Sequence, residues 1–156
     1  MTPSDADAGA LWAGSAAAGR VLAIDYGERR IGLAVSDPTR TIASPAGFIA
    51  RRHGKRPPVA ELARQAAQHH ATAIVMGLPL DDEGDETPRS EEVRRVAAAL
   101  EQRTGLSVIF IDERYSTAAA LRAIQEMGGS TRGRRGDIDA LAATILLQHA
   151  LESLPR

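Results

Sequence analysis

The stretch VLAIDYGERRIGLAVS, residues 21–36, decides the fold. Two apolar runs, VLAID at 21–25 and IGLAVS at 31–36, flank a five-residue turn that contains Gly27. That spacing predicts an antiparallel hairpin. The first run stops on an acid, Asp25. An Asp before a Gly-containing turn either forms the turn or is carried to a strand end, where sheets of this kind bind ligands. The local sequence leaves both readings open.

Working outward, a third strand is expected within TIASPAGFI, 41–49, where Pro45 restricts it to an edge or a bulge. A basic, proline-punctuated loop, RRHGKRPP, follows. Val59, Leu62, Ala63, Ala66 and Ala67 then recur at helical spacing towards His70. TAIVMGLP at 72–79 reads as a buried strand, and the acidic run 81–86 as a solvated loop without EF-hand spacing. Thr87 and Pro88 open a helix, with Ser90, Glu91 and Glu92 in its first turn, running to about Gly105. SVIFID at 107–112 is the next strand. Ser116 or Thr117 caps a helix to about Met127, and a Gly/Arg loop leads into a last helix from about Asp137 to Leu154. The result is an α/β protein: a mixed five-stranded sheet, three antiparallel strands then alternating helices and strands, flanked by helices.

Composition narrows the function. The chain has 156 residues, enough for one core. Residues 1–20 are Ala/Gly-rich with Asp5 and Asp7, unlike a signal peptide, and are expected to be a disordered extension before one domain at 21–154. No apolar run is long enough to span a bilayer, so a cytoplasmic protein without membrane contact is expected. Nineteen basic and 20 acidic residues give a net charge of -1, so any nucleic-acid face must be local. Aromatics at 3% exclude rows of exposed rings that stack bases. Without cysteine, only Asp, Glu and His remain as metal ligands.

Asp25, the pair Asp112 and Glu113, and Asp139 stand at strand ends or in the first turn of the last helix. Each has a plain alternative. Asp112 and Glu113 could mark a solvated strand end, with Glu113 paired to Arg114, and Asp139 could serve the helix dipole, Asp137 being the better cap. If they converge, they form a hard oxygen site suited to Mg²⁺ or Mn²⁺, and two such ions can drive phosphodiester hydrolysis. Gly27 would keep the approach open to a phosphate, with Arg29 and Arg30 beside it. Two basic clusters, Arg51, Arg52, Lys55, Arg56 and Arg132, Arg134, Arg135, could hold further phosphates, as could Arg114 and the helix start at Ser116 and Thr117. His69 and His70 lack metal-pair spacing, and His53 and His149 have no identifiable partner. On the last helix Ala140, Ala143, Leu147 and Ala150 suit either the core or a dimer seam, so monomer and homodimer both stand.

IDYGERRIGLAVSD (24–37), VMGLPLDDEGDE (75–86), IDERYSTAAA (111–120) and GDIDALAATILLQ (136–148) together resemble the YqgF (RuvX) family of RuvC-like nucleases. The resemblance implies a ribonuclease H-like fold, an acidic triad at Asp25, Glu113 and Asp139, a divalent metal, and maturation of the 5′ end of the small-subunit ribosomal RNA precursor (pre-16S rRNA). The family's older label implies resolution of branched DNA. Where family members often carry a basic residue two positions before the last acid, this chain has Asp137. A binding module without catalysis and an ATP-binding switch are the competing classes; the latter places nucleotide between two such domains, and this chain has length for one.

Overall fold

The computed structural model describes residues 19–51, 56–112, 114 and 135–153, with side chains of the last segment from Ile138 onward. Five strands, β1 (Arg20–Tyr26), β2 (Arg30–Ser36), β3 (Ala43–Ala50), β4 (Ala71–Leu78) and β5 (Val108–Asp112), form one sheet in the order β3-β2-β1-β4-β5. β1, β2 and β3 pair antiparallel, whereas β1, β4 and β5 run parallel. Three helices are described: α1 (Val59–Gln68), α2 (Pro88–Thr104) and α3 (Arg135–Ser153). The expected extension before Arg20 and the helix expected after Ser116 lie outside the described residues.

β1 is a continuous apolar run because both its faces are covered. Leu22, Ile24 and Tyr26 point into a core with α1 and α2, through Leu62, Val93, Val96 and Leu100. Val21 and Ala23 point the other way, into a second core built with Leu146, Leu147 and Ala150 of α3. Ala140, Ala143, Leu147 and Ala150 are all buried, so within this chain that face serves the core. β3 forms the edge, largely exposed, and its ladder with β2 shifts register between Gly32 and Ala34, next to Pro45, which has no N–H to donate.

The helix ends follow local chemistry. Thr87 caps α2 reciprocally with Ser90, Pro88 occupies the first turn, and Gly105 ends the helix at φ 74°. α3 is already helical at Arg135, ahead of the expected start, which puts Asp137 inside the helix and not at its cap. At the amino edge of the sheet the buried Arg40 donates to the Gly19 carbonyl and the Thr72 hydroxyl, each at 3.0 Å, tying the starts of β1 and β4 together. Among the described residues no helix is long and apolar enough to cross a membrane.

Candidate active site

Strand alternation places Asp25 on the face that Val21 and Ala23 share with α3. Its Cα partner across the hairpin is Gly32. Asp25 is 2% exposed and sits within the ladder, one residue before the end of β1, which sets aside the turn-forming reading. The turn proper begins at Gly27, whose N–H donates to the Arg30 carbonyl at 3.2 Å. A side chain on Gly27 would collide with that same carbonyl, so turn geometry already accounts for this glycine.

Gly32 is the position that builds the site. A Cβ there would overlap the backbone carbonyl of Asp139, so the absence of a side chain lets α3 rest directly on β2. The contact brings Asp139, 8% exposed, over the cross-strand partner of Asp25. Arg30, on the same face of β2, donates from Nε to Oδ2 of Asp139 at 2.6 Å. This is a short charge-assisted bond between largely buried groups. It holds the Asp139 carboxylate in one orientation and sets a guanidinium against its charge.

The turn that follows Asp25 is braced from the opposite face. Arg51 donates to the Gly27 carbonyl at 2.9 Å and to Glu92 of α2 at 2.8 Å, with its guanidinium 4.5 Å from the centre of the Tyr26 ring. The Tyr26 hydroxyl donates to the same Glu92 carboxylate at 3.2 Å. Burial pushes the Tyr26 phenol up to about 12, and Glu92 adds to the rise while Arg51 opposes it. Arg51, expected to reach for phosphate, is therefore folded inward as a brace.

Asp112 is not brought to Asp25 and Asp139. It ends β5 with the parity of Val108 and Phe110, which face the α1/α2 side, and it is exposed. Arg114 binds its carboxylate at 2.7 Å and holds it below the usual carboxylate range. Arg114 also reaches the Asp82 carbonyl of the acidic loop at 3.4 Å, so it too is engaged. In that loop Asp81 accepts from the Glu83 and Asp85 N–H groups at 3.0 and 2.8 Å. The fold thereby brings the exposed carboxylates of Asp81, Glu83 and Asp85 within 4.8 Å of one another, a convergence that the sequence spacing did not announce.

Arg29 is exposed at the tip of the β1–β2 turn, and Arg56 is exposed before α1. Glu113, Arg52, Lys55, Ser116, Thr117, Arg132 and Arg134 lie outside the described residues, as does the side chain of Arg135. Gly32, Tyr26, Glu92 and Arg40 escaped the sequence reading. For Gly32 a signal existed: a glycine inside a strand, opposite an acid, marks a close approach of another backbone.

An antiparallel three-stranded start, two parallel strands beyond it and buried carboxylates at the carboxyl edge define a ribonuclease H-like fold of the RuvC type. Solved Thermus thermophilus RuvC superposes with a TM-score of 0.53 at 16% identity, covering 86% of this chain and 95% of that one. The structure of T. thermophilus RuvC with a Holliday junction substrate gives 0.50 at 17% identity, covering 86% and 94%. At the level of sequence, the family described as RuvX, Holliday junction resolvase, matches residues 19–153, and the chain belongs to that family. A Roseiflexus sp. (strain RS-1) protein is 39% identical over 135 residues, 86% of this chain and 95% of its own. One from Paracoccus denitrificans (strain Pd 1222) is 42% identical over 138 residues, covering 87% and 85%. Both carry the name "Putative pre-16S rRNA nuclease".

Proposed function

We propose that this chain is a divalent-metal-dependent nuclease that hydrolyses phosphodiester bonds of RNA in the maturation of the 5′ end of pre-16S rRNA, in the cytoplasm. The observation that carries the reading is the seating of α3, at Asp139, on Gly32, the cross-strand partner of the buried Asp25 near the carboxyl end of β1. The name borne by the relatives supports RNA as the substrate.

The residues fit a hard cation. Two carboxylates, 2% and 8% exposed, share one face in a chain without cysteine, a donor set that suits Mg²⁺ or Mn²⁺. Asp25 and Asp139 would hold the metal, with Glu113 as the third member. A bound divalent ion, or a pair of them, supplies an activated water and stabilises the leaving oxygen. Arg30 orients Asp139, and the Arg51 brace fixes the turn that carries Arg29 towards a phosphate. Arg52, Lys55, Ser116, Thr117, Arg132, Arg134 and Arg135 are the further candidates for backbone contact.

The test is a time course on end-labelled single-stranded RNA, a DNA strand of the same sequence and a four-way DNA junction, in Mn²⁺, Mg²⁺ or EDTA, with Asp25→Asn in parallel. Metal-dependent RNA cleavage that the variant lacks, with an unchanged melting temperature, is the expected result. The family description favours a second reading, a branched-DNA resolvase. Paired symmetric nicks in the junction alone would establish it, and such cutting requires a dimer with two sites. Tight RNA binding with no cleavage in either metal would leave a binding module.

A further inference from the structure

The face opposite Asp25 and Asp139 carries a groove along the seam of α1 and α2. One stretch, about 760 Å³, is lined by Arg56, Arg95 and Arg103 over a floor that includes Ala60 and Ala99. A second stretch of about 520 Å³ continues from Ala60 and Arg103 towards His70. Arg56, Arg95 and Arg103 are exposed, and among the described residues none has an ion pair or side-chain hydrogen bond. Of the lining residues only Glu92 is acidic, and its carboxylate already serves Arg51 and Tyr26. The groove is thus a concave, cationic channel whose one negative charge is internally committed.

We propose that this groove binds the phosphate backbone of single-stranded RNA flanking the scissile bond. The proposal rests on the RNA-nuclease reading and extends it to a face with no catalytic carboxylate. Three features favour this occupant. The groove begins at Glu92, which touches Tyr26, the residue after Asp25, so it opens at the sheet edge where the candidate site lies. Arg95 and Arg103 lie about 12 Å apart along α2 at roughly 1.5 Å per residue, so the two guanidiniums can hold different phosphates of one strand. The floor is alanine and valine without an aromatic ring, so it can seat a backbone but cannot stack bases, and the contact is independent of sequence. A second copy docked across a two-fold axis would bring like charges together, which disfavours that occupant.

The test is fluorescence anisotropy of the full chain in EDTA, as a function of salt, with labelled RNA strands of about 20 and about six nucleotides, for wild type, Arg95→Gln/Arg103→Gln and Arg95→Lys/Arg103→Lys. Each single-strand phosphate contact contributes about 0.7 to the slope of log affinity against log salt. The glutamine variant should lower the slope by about 1.4 on both strands, because about six nucleotides already span the two arginines, and the lysine variant should restore it. Melting temperatures should stay at wild-type values, because both arginines are exposed. An unchanged slope on the long strand would overturn the proposal, as would light scattering showing a wild-type dimer that the glutamine variant dissolves. The readout is binding without metal, so failure of the groove and failure of catalysis are separable: loss of slope in a protein that cleaves nothing would keep the groove and remove the nuclease.

Discussion

Replacing Gly32 with alanine tests the joint that assembles the candidate site. The new Cβ would overlap the Asp139 carbonyl, so β2 and α3 must part at Asp139 by on the order of 1 Å. Overpacking of this kind costs about 1 to 3 kcal/mol. In a domain of this size each kcal/mol moves the melting temperature by about 2 to 4 °C, so Gly32→Ala should melt lower by roughly 2 to 12 °C. A displacement of that order at a catalytic group can cost about a hundredfold in rate, and RNA cleavage should fall accordingly. The control is Gly105→Ala. That glycine caps α2 at φ 74° with open space around it, so alanine there costs left-handed strain of about 1 to 2 kcal/mol without touching the site. It should lose comparable stability and keep wild-type cleavage at temperatures where both variants are folded. Equal cleavage by Gly32→Ala and wild type would refute the claim that this contact places Asp139.

Arg30→Gln removes the guanidinium from a mostly buried carboxylate and should cost about 3 kcal/mol by thermal melting and most of the cleavage, with Arg30→Lys intermediate; unchanged melting would deny the pair its positioning role. The Tyr26 phenol is raised to about 12, so the folded state keeps a proton that the unfolded chain releases near 10. Stability is therefore complete below about pH 10 and declines as pH rises towards 12, and Tyr26→Phe should flatten that decline in melting curves. Asp37 accepts from the Ile42, Thr41 and Thr39 N–H groups and is held far below the ordinary carboxylate range, with the Ile42 bond the largest cause. Its contribution is present above about pH 4 and fades on acidification. Asp37→Asn should shrink the dependence of stability on pH in that acidic window.

Much of this fold was legible because its signals are local and agree with one another. Apolar run length gave the buried strands, Pro45 gave the edge, and the Thr87, Pro88 and Gly105 signals bounded α2. The partners of the arginines were not legible. Arg30 and Asp139 are far apart in sequence, as are Arg51 and Glu92, and nothing local distinguishes a guanidinium folded inward from one offered to a phosphate. The basic cluster at 51–56 shows the consequence: Arg51 braces a turn from within, while Arg56 stands exposed at the mouth of a groove.

Asp112 failed to reach Asp25 and Asp139 for a reason that the sequence did contain. In β1, Asp25 has the parity of Val21 and Ala23, which face α3. In β5 that parity belongs to Ile109 and Ile111, whereas Asp112 follows Val108 and Phe110 onto the other face. Two adjacent acids at a strand end cannot both serve one face. The register thus turns Asp112 away from the face that carries Asp25. The proposed triad therefore predicts that Asp112→Asn keeps metal-dependent cleavage, whereas Glu113→Gln loses it. Equal loss in both variants would show that the strand's alternation does not govern how the chain leaves β5.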